Sequence, residues 1–229
     1  MKESSIPPPG RRELYRFYRL MHRHYGPTGW WPGDTPFEIA VGAILTQNTA
    51  WRNVEQAIAN LKRLNALNPS VLAVLDDAVL WPALRPSGYF RQKADRIRRF
   101  ARWLLEEHGG RLESLAALPL IEARRQLLDL NGIGPETADD ILLYACAFPV
   151  FVIDAYTRRI LARHGMPRAL TMSYEDLRAY LEARLDPDLH LFREYHGLIV
   201  WTGKDFCRRR ARCEGCPLSG LPRDAAWGS

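Results

Sequence analysis

Several things are missing from this sequence or nearly so, and each absence excludes something. No apolar run approaches the uncharged length that a bilayer-spanning helix needs, so a membrane protein is excluded. The opening residues, Met1 through Pro9, lack the apolar core of a signal peptide, and a cytoplasmic protein is expected. Cysteine is rare: Cys146, Cys207, Cys213 and Cys216 are the full set, and disulfides are not expected in that compartment. Strand-like patterning is confined to Val150-Phe151-Val152-Ile153, too short to build a sheet alone. There is no internal repeat and no low-complexity tract beyond Pro7-Pro8-Pro9. Lysine is scarce as well. Of 32 basic residues only Lys2, Lys62, Lys93 and Lys204 are lysines, a bias that a GC-rich genome produces by itself.

What is present is an ordinary globular balance. With 229 residues, 47% hydrophobic and 25% charged, disorder is excluded as the main state, and one large domain or two small ones sharing a core are expected. The net charge is +6 and its placement is uneven. Arg91 to Arg102 carries six basic residues against Asp95 alone, and Lys204 to Arg212 carries five against Asp205 alone. Clustered positive charge is the footprint of a phosphate-backbone partner, although it serves equally as a solvated face.

Nearly every segment has helical periodicity. Leu14, Phe17, Tyr18, Met21 and Tyr25 recur on one face and stop at Gly26. Thr35-Pro36-Phe37-Glu38 is a capping box, opening a helix from Phe37 to Leu45 that is apolar almost all round and therefore central. Val54 to Leu64 and Ala94 to Leu105 give two amphipathic helices, the second stopped by Gly109-Gly110. Leu120 to Asp129 and Glu136 to Ala147 flank a glycine turn, and Asp154 to His164, Tyr174 to Leu185 and Leu189 to Trp201 complete an all-α set.

The glycine turn, Leu130-Asn131-Gly132-Ile133-Gly134-Pro135-Glu136-Thr137-Ala138, is the most informative stretch. Two glycines one residue apart permit positive φ and close backbone approach, and Pro135 opens a helix whose first N–H groups can take a phosphate. An ordinary glycine-capped helix connection has the same pattern. Three further segments stand in order around it: Gln47-Asn48-Thr49, Gly88-Tyr89-Phe90-Arg91-Gln92-Lys93-Ala94, and His196-Gly197-Leu198-Ile199 followed by the cysteines. Together they resemble the helix-hairpin-helix DNA glycosylases of the endonuclease III superfamily, over roughly residues 35 to 220.

The resemblance implies roles. Gln47 would probe the gap left by a flipped nucleotide, Tyr89 would wedge the helix, and Lys93, Gly132, Gly134 and Thr137 would belong to the DNA-binding surface. Asp154, after the apolar run and at a helix N-cap, stands where the superfamily keeps its catalytic aspartate. N–H donors and the helix dipole favour its ionised form. A fixed carboxylate stabilises the charge that grows on the sugar, and can activate water. The bifunctional members place a lysine where this chain has Glu136. A carboxylate cannot form a Schiff base, so a monofunctional enzyme is implied, with Glu136 either facing away or working near Asp154. Ala43 replaces the catalytic glutamate of the mismatch-adenine branch.

Trp30-Trp31-Pro32 and Trp51, with Glu136, resemble the bacterial 3-methyladenine DNA glycosylases of endonuclease III type. There such residues sandwich the flipped base; packing between lobes is the other use for Trp30 and Trp31. Cation–π attraction favours an alkylated, cationic base by roughly 0.5–2 kcal/mol, and stacking adds about 1–3 kcal/mol whatever the base. Cys207, Cys213 and Cys216 are spaced as metal ligands are. The family's [4Fe-4S] loop has one residue more in its first gap and a cysteine where Pro222 stands. The possibilities are a cluster completed by Asp224 or His196, zinc with similar help, or a metal-free relic.

The expected protein is thus all-α with two helical lobes. Residues 36–147 would form a six-helix barrel carrying the hairpin, and 1–35 with 148–229 the second lobe, with a cleft between. It would act on double-stranded DNA with a damaged base, as a monomer without membrane contact, in the nucleoid-bearing cytoplasm. The alternatives are an endonuclease III-like glycosylase for oxidised pyrimidines and a non-catalytic helix-hairpin-helix DNA-binding protein.

Overall fold

The computed structural model describes residues 6–223. The described residues are all-helical, with no strand, and the chain divides into two compact units: Met1–Trp31 with Pro149–Ser229, and Pro32–Phe148.

The first unit holds α1 (Arg11–Tyr25), α10 (Ala155–Arg163), α11 (Tyr174–Glu182) and α12 (Leu189–Asp205). Helix α1 ends on Gly26, whose φ of 73° lets its N–H return to the His22 carbonyl. The core of the unit joins Leu14, Phe17 and Met21 of α1 to Ile160 and Leu161 of α10 and to Phe192, Tyr195 and Leu198 of α12. Val150–Ile153 runs extended through this core, and all four residues are buried. It makes no ladder because its donors are met by side chains. The Phe151 N–H donates to Glu182 Oε1 at 2.9 Å and the Ile153 N–H to the Tyr174 hydroxyl at 3.3 Å. Such side-chain acceptors satisfy a buried backbone without a sheet.

The second unit is built around α2 (Pro36–Leu45), where eight of ten residues are buried. Thr35 Oγ1 accepts from the Glu38 N–H at 3.1 Å, as the capping box requires. Glu38 does not close the box on Thr35 itself; its carboxylate accepts from the Asp34 N–H, and Lys62 pairs with both acids. Around α2 lie α3 (Trp51–Arg63), α6 (Phe90–His108) and α9 (Pro135–Asp140), the last continuing into a π-helical turn over Ile141–Ala145. Three short helices escape the periodicity reading: α4 (Pro69–Leu72), α5 (Asp77–Leu84) and α7 (Leu112–Ala116). Helix α8 (Leu120–Leu128) completes the unit and leads into the hairpin. A buried pair joins α8 to α9: Arg124 grips Asp139 at 2.7 and 3.2 Å, with Asp139 fully buried.

Candidate functional site

In the second unit, the hairpin turn and the segment after α2 line one groove of about 590 Å³. Gly132, Gly134, Glu136 and Thr137 meet Gln47 and Ala43 there. The two glycines differ in use. Gly132 has φ of 97°, and a Cβ on it would come within 2.7 Å of the Arg96 side chain, so both conformation and space demand glycine. Gly134 is extended, a conformation open to any residue, and nothing stands within 4 Å of where its Cβ would be. Its lack of a side chain serves open space beside the N-terminus of α9.

Gln47 braces this turn from within the protein. Its Nε2 donates to the Gly132 carbonyl and to Thr137 Oγ1, both at 3.0 Å, while Arg96 donates to its Oε1. Glu136 is exposed and Thr137 is buried. Tyr89 caps α6 with φ of 45°, unusual for a residue with a side chain, and stands 67% exposed after Gly88 at φ of 66°. Pro32 is exposed; Trp51, at the first position of α3, donates through Nε1 to Glu55.

One expectation from the sequence needs correction here. Lys93 does not lie on a DNA-facing surface. It is 1% exposed, and its Nζ donates to the Leu45 carbonyl at 2.8 Å and the Ser87 carbonyl at 2.6 Å. Burial, with Arg96 nearby, pulls its pKa down to about 8. Part of the basic run of α6 also holds backbone carbonyls of its own unit, although Arg91, Arg99 and Arg102 stay exposed. Arg98 reaches the Leu75 carbonyl and Asp77, Arg102 the Ala73 carbonyl, and Arg99 the Asn131 carbonyl.

The first unit holds the carboxylate and two of the indoles. Asp154 caps α10 and is 8% exposed. Its Oδ1 accepts from the Thr157 N–H at 2.6 Å and the Thr157 hydroxyl at 2.8 Å, while Oδ2 faces His196 Nε2 at 3.8 Å. Burial pushes the carboxyl pKa up, but His196 and the Thr157 donors outweigh it and leave it below the ordinary value. The group is therefore ionised at neutral pH.

Trp30 and Trp31 are half-buried with ring centroids 5.9 Å apart. The loop before them is tied to α12 by Glu194, whose carboxylate accepts from the Thr28 N–H, the Thr28 hydroxyl and the Gly29 N–H. Gly197, one residue after His196, lies against Trp30; a Cβ there would be 2.7 Å from Trp30 Cβ and from Thr28 Oγ1. Consecutive residues of α12 thus hold the indole and the carboxylate in one unit. Lys204, further along α12, sets its Nζ 5.1 Å from the Trp30 ring centroid. Periodicity gave no sign of this contact, since it depends on where a loop meets the end of a helix.

The cysteine loop closes on itself differently from a four-thiolate cluster. Cys207, Cys213 and Cys216 line one cavity with Arg163, His164 and Phe206. The Cys207 thiol accepts from Arg163 Nη1 at 3.0 Å, and its carbonyl from Arg159 Nε at 2.5 Å. Of the candidate fourth ligands, His196 is turned to Asp154 and Asp224 lies outside the described residues. The Pro222 carbonyl instead accepts from His164 Nδ1 at 2.9 Å. Among the described residues no three His, Cys, Asp or Glu side chains are grouped to hold a metal ion. Three thiols with a guanidinium on one of them do not fit the four-thiolate cluster.

A family model described as the HhH-GPD superfamily of base excision DNA repair proteins matches residues 41–187. A protein of Methanocaldococcus jannaschii, whose name assigns it provisionally to the DNA repair glycosylases, is 40% identical over 90% of this chain and 93% of its own. Endonuclease III of Thermotoga maritima is 30% identical over 80% of each chain. Among solved structures, the H. pylori 3-methyladenine DNA glycosylase bound to 1,N6-ethenoadenine superposes with a TM-score of 0.70 at 28% identity, covering 85% of this chain and 96% of that one. On this footing, with the hairpin and the ionised aspartate in place, the chain belongs to the HhH-GPD superfamily of base excision DNA repair proteins and is a DNA glycosylase.

Proposed function

We propose that this glycosylase releases alkylated purines such as 3-methyladenine from double-stranded DNA by hydrolysis, without a lyase step. The observation that carries the reading is that one helix, α12, backs both an ionised buried carboxylate and an indole face that already accommodates a cation. A base made cationic by alkylation meets the quadrupole of Trp30 as the Lys204 ammonium does, and a neutral base lacks that attraction, worth roughly 0.5–2 kcal/mol. Such a base is already a good leaving group, so strong protonation by the enzyme is unnecessary. Trp31, and Pro32 and Trp51 of the other unit, are the further candidates for holding the base.

Duplex DNA would be gripped at the hairpin, where the first N–H groups of a helix have no intrahelical partner and suit a phosphate. Tyr89, exposed and held in a left-handed backbone conformation, suits the wedge, and the target nucleotide leaves the stack. Asp154 then stabilises the positive charge growing on the sugar and activates the attacking water. Against a lyase step stands the absence of a lysine from the hairpin position, Lys204 being the amine beside Trp30. Glu136 occupies the hairpin, Lys93 is buried on two carbonyls, and Lys62 is paired with Asp34 and Glu38. The H. pylori neighbour supports the alkylated-purine reading; the Thermotoga relative favours oxidised pyrimidines as the second.

The test offers purified protein two duplexes, one with an alkylated purine and one with an oxidised pyrimidine, each with and without alkali. Release from the alkylated duplex, with strand breaks only after alkali and no adduct on borohydride treatment, is expected. Asp154→Asn should lower release at least about 100-fold while DNA binding persists. Breaks without alkali, a trapped adduct, preference for the pyrimidine duplex, or binding with no release would each overturn the corresponding part of the reading.

A further inference from the structure

We propose that His196 is a positioning residue for Asp154, fixing its outer oxygen and keeping the carboxylate charged inside a buried setting. This rests on the catalytic reading of Asp154 given above. The two oxygens of that carboxylate have different surroundings. Oδ1 is held by both donors of Thr157, which is the N-cap geometry and would stand in a purely structural cap. Oδ2 takes no part in the cap and faces the His196 imidazole from α12 at 3.8 Å, an ion-pair distance rather than a direct hydrogen bond.

Both groups are buried, Asp154 at 8% and His196 at 4% exposure. A carboxylate in such a place is driven toward its neutral form by desolvation, and a neutral carboxyl neither stabilises a sugar cation nor takes a proton from water. Of the groups that oppose this, His196 acts most strongly, ahead of Thr157. On α12, Glu194 is held by Thr28 and Gly29 of the loop before Trp30, and Lys204 lies over the Trp30 ring. On α1, Tyr18 is a half-buried phenol whose own titration is pushed up by partial burial and by Glu194. On α10, Thr157 supplies neutral donors. The imidazole of His196 is the side chain set opposite Oδ2. Its position next to Gly197, which backs Trp30, means one turn of α12 sets the carboxylate and the indole together.

The sign follows from the pairing. Its neighbours hold the Asp154 carboxyl below its ordinary value, so it stays charged in mild acid. Wild-type protein should therefore show flat single-turnover base release across about pH 5 to 7. In His196→Gln the carboxyl pKa rises, and release should fall roughly tenfold across that window while matching wild type within about threefold near pH 8. Affinity for a duplex with an abasic site should be unchanged in the variant, which a merely misfolded pocket would not allow. His196→Asn serves if the glutamine variant does not fold by thermal unfolding.

A variant profile superimposable on a flat wild-type one overturns the proposal and leaves the role of Asp154 standing. An acid limb in the wild type inside that window overturns it even if neither variant folds; a flat wild type supports it. Release absent from wild type at every pH removes the assigned role of Asp154 and the proposal with it.

Discussion

Replacing Lys93 by methionine separates two uses of a lysine in a DNA-binding protein. Methionine ends at the ε position and keeps the unbranched apolar stem in place, so what is removed is the ammonium. In the structure that ammonium donates to the carbonyls of Leu45 and Ser87, both residues fully buried. Leu45 closes α2 two residues before Gln47, and Ser87 stands two residues before Tyr89. Each buried carbonyl left without its donor costs about 1–3 kcal/mol, so Lys93→Met should destabilise the protein by about 2–5 kcal/mol in urea unfolding. A phosphate contact would behave otherwise. Stability would hold, and the slope of log affinity against log salt would fall by about 0.9. The pH dependence adds a second signature. Folding lowers the lysine pKa from 10.5 to about 8, so the unfolded chain binds more protons between those values. Stability contributed by the neutral amine is therefore gained as pH rises through the window, and the gap between wild type and variant should widen from pH 8 to 10.5. An unchanged urea midpoint with a reduced salt slope would refute the buried-clamp argument.

Arg124→Met should cost about 3–5 kcal/mol, because fully buried Asp139 loses its forked guanidinium partner; urea unfolding reads this, and a loss under about 1 kcal/mol would refute it. Gly197→Ala places a methyl 2.7 Å from Trp30 Cβ and Thr28 Oγ1, so the loop must move. Overpacking of this kind costs about 1–3 kcal/mol, and base release should fall far more than affinity for an abasic duplex. Equal losses in both, or none, would count against a role for the Trp30 loop in base handling.

Much of the helical layout was legible because periodicity and caps agreed. Thr35-Pro36-Phe37-Glu38 announced α2, Gly109 and Gly110 ended α6, and Asp154 capped α10 as its type and position suggested. Short helices were not legible from periodicity, since four to eight residues cannot display it, although Asn68-Pro69 and Asp76-Asp77 carried cap signals that the structure uses. At the candidate site, glycine and turn chemistry are local and could be read. The pairings that decide chemistry are not. Lys93 reads as a surface residue until its acceptors, one of them 48 residues away, are known. His196 reads as part of an amphipathic helix until α12 is packed on α10. Both depend on tertiary neighbours that no window of sequence contains.

The basic run of α6 shows how a correct sign of charge can serve a different purpose. As a linear pattern it suggests guanidinium groups laid along phosphates. In the structure Arg99 donates to the Asn131 carbonyl at 2.7 Å, and Arg96 holds the Gln47 amide whose nitrogen binds the Gly132 carbonyl. In a trans peptide the carbonyl and the following N–H point in opposite directions. With the Asn131 carbonyl drawn toward α6, the Gly132 N–H is turned away from it; the Gly132 carbonyl accepts from Gln47, and the Ile133 N–H returns to the Leu130 carbonyl. The oxygens that would repel an anion are thus taken up inside the unit before any ligand arrives. A turn whose dipoles are already sorted loses little freedom on binding, and that saving appears as affinity. If the turn takes a phosphate as proposed, arginines of α6 contribute by holding its backbone, and Arg96→Met should weaken DNA binding through the turn, with a salt slope unchanged from wild type, where a direct phosphate contact would lower it by about 0.9.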